Sequence, residues 1–157
     1  METTETLMIE RTFRAPAQAV FDAWTNEKVL RRWFHANRAW ETPEATIDLR
    51  VGGAVRLVMR DPTDGETYGA TGRYTEVDPP RRLAFTWTWD RDRDGDGDGL
   101  ESLIEIDFED LGDGSTAVRF SHSGLRDEPS ARDHESGWNN CFDNLERALA
   151  GADGDRG

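Results

Sequence analysis

His122 and His134 are the side chains of this 157-residue chain best suited to moving protons. A neutral imidazole with a pKa near 6.5 can act as acid or base, for example in a cyclase-like reaction. The competing reading is structural, with each ring hydrogen-bonded at the rim of a buried space. His122 shares a strand face with Val118 and Phe120, while His134 shares a helical stripe with Trp138. The lone Cys141 rules out an internal disulfide framework and falls on the buried side of that stripe, where free cysteine acts as a small hydrophobe. His122-Ser123-Gly124 is not the nucleophile-elbow pattern, and nothing resembles a Walker loop, a dinucleotide fingerprint or a zinc motif. No catalytic residue and no cofactor are therefore assigned.

One stretch does match a metal-binding pattern in its letters. Asp90, Asp92, Asp94, Gly95 and Glu101 have the spacing of a calcium-binding loop, with Asp96 and Asp98 as further carboxylates. The flanks read as strands rather than helices, and Gly97 stands where the loop usually has an apolar residue. The plainer reading is an acidic, low-complexity hairpin between Trp89 and Leu100.

These groups need elements to position them. Thr6 to Phe13 reads as a first strand, and Pro16 suits the first turn of a helix. Ala17, Val20, Phe21 and Trp24 then form one helical stripe. A second short helix is expected from about Glu27 to Phe34, capped by Thr25 or Asn26, with Leu30, Trp33 and Phe34 inward. From Ile47 onward strands follow at hairpin spacing, separated by Gly52-Gly53, Asp64-Gly65, Pro79-Pro80, the Asp/Gly run 90 to 99, and Gly112 to Gly114.

Alternation assigns the buried faces of these strands. Val55, Leu57 and Met59 share a side, as do Leu83, Phe85, Trp87 and Trp89, then Ile104, Ile106 and Phe108, and finally Val118, Phe120 and His122. Arg56 and Arg60 alternate with the apolar residues and should face outward towards carboxylates. The last element is a helix from about Asp127 or Ser130 to Ala150, with His134, Trp138, Cys141, Phe142, Leu145 and Leu149 at steps of 3 and 4. Gly137 sits beside Trp138 on its inward side, leaving room for a ligand or for a close strand. The segment 151 to 157 reads as a disordered tail, so residues 1 to 150 form one domain.

The expected architecture is α+β, with a curved antiparallel sheet of about six to seven strands around one long C-terminal helix. A strongly curved sheet cannot touch one helix along its whole length, so an apolar gap is expected between them.

Composition bounds the partners. Thirty-two acids against 19 basic residues give a net charge of −13, which opposes sequence-independent binding to nucleic acid and to an anionic membrane. Hydrophobic residues make up 36%, but six Trp, seven Phe and two Tyr supply the large apolar side chains that disordered chains lack. The N-terminus has acids where a secretory signal has basic residues, and no run approaches the roughly 20 apolar residues of a membrane span. A cytoplasmic protein, monomeric or weakly dimeric, is the expectation. Lys28 is the only lysine, a bias that either a GC-rich genome or a salt-filled cytoplasm would produce.

Four blocks of this chain resemble a known family. They are RTFRAPAQAVFDAWT (Arg11 to Thr25), DLRVGG (Asp48 to Gly53), GRYTEVDPPRRLAFTWTW (Gly72 to Trp89) and HSGLRDEPSARDHESGWNNCFDNLERAL (His122 to Leu149). Together they look like the C-terminal domain of the activator of heat-shock protein 90 ATPase, a family of the SRPBCC superfamily that also holds START domains, polyketide cyclases and birch-pollen-allergen-like proteins. The resemblance spans about Thr6 to Ala150 and implies a helix-grip fold with a hydrophobic cavity between sheet and long helix.

It implies, as function, the binding of a small hydrophobic or amphipathic ligand, lipid-like or polyketide-like. Trp24, Trp33, Met59, Trp87, Ile104, Phe120, Trp138, Phe142 and Leu145 would form the walls, and His122, His134 and Tyr68 the polar contacts. Two alternatives stand beside it. A cyclase or hydrolase would need a titratable group deep in the cavity. A co-chaperone partner is the weaker expectation, because the eukaryotic co-chaperones carry a separate chaperone-binding domain.

Overall fold

The computed structural model describes residues 5–35, 39–90, 101–125 and 128–154. Strand β1 (Glu5–Phe13) leads into helices α1 (Ala17–Thr25) and α2 (Glu27–Trp33). Six strands follow: β2 (Glu41–Ile47), β3 (Ala54–Arg60), β4 (Thr67–Asp78), β5 (Arg82–Trp89), β6 (Ser102–Asp110) and β7 (Thr116–Leu125). Helix α3 (Glu128–Gly154) closes the chain, running four residues past the Ala150 end expected from its stripe.

All seven strands form one antiparallel sheet in the order β1-β7-β6-β5-β4-β3-β2. Consecutive strands from β2 to β7 pair as hairpins, and β1 returns to the β7 edge, the α+β architecture expected from the sequence. Register shifts interrupt the β1–β7, β2–β3 and β4–β5 pairings, and such irregularities bend strands and increase their twist. Gly72 serves the same curvature, because a Cβ there would collide with the Thr86 carbonyl oxygen on β5.

Strand β2 is the element the sequence did not announce. ETPEATI contains Pro43 and buries only Thr42 and Ala45, yet it pairs with β3 as the outermost strand. An edge strand tolerates a proline because one row of its backbone donors has no ladder to join. Pro16 likewise sits one step outside α1, as an extended N-cap residue whose carbonyl accepts from the N–H groups of Ala19 and Val20. At α2 the cap is Asn26, whose side chain accepts from the backbone of Lys28 and Val29 at 2.9 and 3.2 Å.

The buried faces follow the alternation. Val55, Leu57, Met59, Leu83, Phe85, Trp87, Ile104, Ile106, Phe108, Val118, Phe120 and His122 are all buried. The outward face is charged. Arg82 is ringed by Glu76, Glu105 and Asp107 at 2.9, 2.6 and 3.0 Å, and these carboxylates, Glu76 foremost, raise its pKa above the usual value. Arg56 and Arg60 face outward as expected, pairing with Asp90 at 2.8 Å and Glu41 at 3.2 Å. No helix among the described residues is long and apolar enough to cross a membrane.

Candidate functional site

Between sheet and α3 lies a layer of aromatic rings. Trp24 of α1 meets Trp33 of α2 at 4.7 Å between centroids, Phe120 of β7 at 6.1 Å, and Trp138 and Phe142 of α3 at 6.0 Å each. Trp87 of β5 meets Trp138 at 5.5 Å and Phe34 at 5.7 Å. Ile104 and Leu145 are buried in the same core. The stripe of α3, the helical stripe of α1 and the inward faces of β5 to β7 thus meet in one buried core. Met59 and Tyr68 sit farther along the sheet as cross-strand partners on β3 and β4, and Tyr68 stacks on Trp40 at 5.3 Å with the rings 4° from parallel.

One polar chain threads this layer. Trp138 Nε1 donates to His122 Nδ1 at 3.2 Å, and His122 Nε2 lies 2.7 Å from Ser102 Oγ, which donates to the Trp87 carbonyl at 2.9 Å. An indole nitrogen can only donate, so Nδ1 must be bare and Nε2 must carry the proton. The Ser102 hydroxyl spends its own proton on Trp87, leaving its oxygen to accept from Nε2. Every link is satisfied with His122 neutral. Burial, and secondarily repulsion from His134, lower the His122 pKa to about 3.

This arrangement weighs on the chemistry. Protonating His122 at Nδ1 would turn an acceptor towards a donor, and withdrawing a proton from Nε2 is not accessible to an imidazole near neutral pH. Both nitrogens are engaged within the protein, so offering either to a ligand means breaking a bond. His134 is half-buried, accepts at Nε2 from Trp89 Nε1 at 2.8 Å, and sets its ring edge-on to His122 at 5.1 Å. Cys141 is buried, and that burial pushes its thiol up to about 12, far from a reactive thiolate.

The tryptophans reveal what the sequence could not. Trp33 donates to the Ala23 carbonyl at 2.9 Å, and Trp89 and Trp138 have their histidines. Trp24 and Trp87 are buried like Trp33 and Trp138 but have no hydrogen-bond partner for Nε1 among the described residues. Leaving a buried donor unpaired costs about 1–3 kcal/mol.

A second polar cluster pins α2 to α3. Asn144 Nδ2 donates to the carbonyls of Trp33 at 3.4 Å and His35 at 3.0 Å, and Thr42 Oγ1 donates to the Phe34 carbonyl. These carbonyls lie at and just past the C-terminal end of α2, where that of Trp33 also accepts from the His35 N–H at 2.8 Å. Burial lowers the pKa of His35, whose Nδ1 sits 3.0 Å from Thr42 Oγ1. Sequence reading missed Ser102, Thr42 and Asn144. Ser102 had a signal, since it continues the inward alternation of Ile104, Ile106 and Phe108.

Asp92, Asp94 and Asp96 of the calcium-like motif lie outside the described residues. Its first member, Asp90, is held by the Arg56 guanidinium through two bonds of 2.8 Å, and its last, Glu101, is exposed. Gly137 is half-buried on α3.

A seven-stranded antiparallel sheet curved around a C-terminal helix over an aromatic interior defines the helix-grip class. Within it, the chain belongs to the family described as activator of Hsp90 ATPase homolog 1-like protein, whose pattern matches residues 14–150. Solved structures agree. An AHSA1 protein from Silicibacter pomeroyi is 29% identical with a TM-score of 0.78, covering 93% of this chain and 98% of its own. A protein from Rhizobium leguminosarum is 28% identical with a TM-score of 0.75, covering 94% and 95%. The solution structure of an AHSA1-like protein from Aeromonas hydrophila is 26% identical with a TM-score of 0.77, covering 94% of each chain. No functionally curated protein matches the chain.

Proposed function

We propose that the chain binds a small hydrophobic or amphipathic ligand, lipid-like or polyketide-like, between the sheet and α3. The observation that carries this reading is the aromatic layer of Trp24, Trp33, Trp87, Phe120, Trp138 and Phe142, which includes buried donors with no partner among the described residues. Affinity would come mainly from apolar burial, at about 25 cal/mol per Å². The state of the titratable groups favours holding over transforming: His122 is neutral with both nitrogens engaged, and Cys141 is protonated. The partner is then a small molecule, and the net charge of −13 disfavours nucleic acid and anionic membranes.

Titration with Nile red, a neutral apolar dye, tests the reading. The expected result is saturable one-to-one binding, with blue-shifted dye emission and quenched tryptophan fluorescence. No saturable binding, together with stimulation of a heat-shock protein 90 ATPase by the same protein, would overturn it in favour of the co-chaperone role.

A further inference from the structure

Five of the six tryptophans touch one another in a single row. Trp33 meets Trp24 at 4.7 Å between ring centroids, Trp24 meets Trp138 at 6.0 Å, Trp138 meets Trp87 at 5.5 Å, and Trp87 meets Trp89 at 5.3 Å. The first four are buried, and Trp89, which ends β5, is half-buried. An indole gives up a single electron far more readily than an aliphatic side chain or a phenylalanine ring. Electrons cross easily between rings in contact, because tunnelling falls off exponentially with the gap. Losing an electron also makes the Nε1 proton strongly acidic, so the vacancy settles where that proton meets a base. We propose that this row carries one-electron oxidation out of the core to Trp89, where His134 takes the indole proton and a small reductant refills the ring.

The hydrogen bonds give the row its direction. Trp24 and Trp87 have no partner for Nε1 among the described residues, and Trp33 donates to the Ala23 carbonyl, which is no base. Trp138 faces His122, but that ring is fully buried and an imidazolium there would have no water to meet it. Of the five, Trp89 combines an imidazole acceptor, His134 Nε2 at 2.8 Å, with partial exposure of both rings, so water can solvate the cation formed. The reaction balances without any change at carbon. An oxidant of the nitrogen dioxide class takes one electron from a ring of the row and leaves as nitrite. The vacancy passes from ring to ring until Trp89 gives its electron to Trp87 and its Nε1 proton to His134 Nε2. A neutral tryptophanyl radical then lies beside an imidazolium. Ascorbate supplies one electron, its own proton goes to water, and the proton on His134 returns to Nε1.

Flash photolysis of the full chain tests this, with a ruthenium polypyridyl photo-oxidant attached at Arg32→Cys in a Cys141→Ala background. Arg32 is exposed and adjoins Trp33, at the opposite end of the row from Trp89. With a sacrificial cobalt(III) quencher, transient absorption should show the neutral tryptophanyl radical, and ascorbate should erase it. Trp87→Phe removes a link but no hydrogen bond found among the described residues, and most of the radical signal should be lost. Trp89→Phe, at the half-buried end, should lose it too and carries the test if Trp87→Phe does not fold. Trp40→Phe, outside the row and stacked on Tyr68, should leave the signal unchanged. His134→Gln keeps an acceptor but not a base, and should slow the appearance of the neutral radical about tenfold or more. No radical in the parent, or a parent-like yield in Trp87→Phe and Trp89→Phe, would overturn the proposal. An unchanged rate in His134→Gln would overturn the role given to His134.

Discussion

Trp138 donates its indole N–H to Nδ1 of His122 across 3.2 Å, and this bond ties α3 to β7. It fixes the tautomer of the imidazole, which fixes the direction of the bond to Ser102, which in turn anchors β6 to the Trp87 carbonyl of β5. A helix and three strands thus share one neutral polar thread. The residue that looked most like a catalyst is committed to holding the helix against the sheet.

His122→Phe should therefore destabilise the fold by about 1–3 kcal/mol, because the Trp138 N–H is left buried without an acceptor. Urea unfolding checks it, with the midpoint falling and the slope unchanged. A midpoint equal to that of the parent would mean the thread contributes nothing.

Stability should fall as pH drops below about 6.5. The folded-state pKa of His122 is lowered to about 3, so between these values the unfolded chain binds the proton and the folded chain does not. Stability is full above the unfolded pKa and is lost as pH falls, by about 1.4 kcal/mol per unit for this group. His35 is also lowered and adds in the same direction. Comparing urea unfolding of parent and His122→Phe at pH 7.5, 6 and 5 isolates the His122 share; identical pH slopes would contradict it.

Cys141 should resist thiol reagents in the native state. With its thiol buried and pushed up to about 12, reaction with a disulfide reagent at pH 8 should wait on unfolding and become fast in concentrated urea. Rapid native labelling would show that the α3 stripe opens readily.

Asn144→Ala should cost about 1–3 kcal/mol, since the His35 carbonyl loses its side-chain donor, while that of Trp33 keeps the His35 N–H. The exposed Arg60–Glu41 pair offers a control, where removal of the charge should cost no more than about 1 kcal/mol. Equal effects at the two positions would refute the role given to Asn144.

Gly72→Ala should be far more damaging than Ala at Gly65. At Gly72 a Cβ collides with the Thr86 backbone, so two strands must part. At Gly65 the positive φ of 76° strains the alanine but nothing lies within 4 Å, and the cost should be about 1 kcal/mol. Melting temperatures of the two variants decide the order.

How much of this was legible follows from what kind of pattern each feature leaves. Alternation in LAFTWTW and steps of 3 and 4 through Trp138, Cys141, Phe142 and Leu145 are local periodicities, so the sheet face and the helix stripe could be read. Strand β2 could not, because an edge strand buries too few side chains to alternate visibly and tolerates Pro43. The convergence of Trp24, Trp87, Phe120 and Trp138 was foreseeable from their inward faces. Which indoles find acceptors was not, since it depends on backbone placed by distant elements, as with Ala23 for Trp33 and β7 for Trp138. The stacking of Tyr68, a candidate polar contact, on Trp40 had no sequence signature.

Native mass spectrometry of the protein purified from its own host tests the ligand-binding reading most directly. The native spectrum should exceed the 17.8 kDa chain by the mass of one small molecule, and that excess should vanish on denaturation. The bare chain mass in both spectra would contradict it.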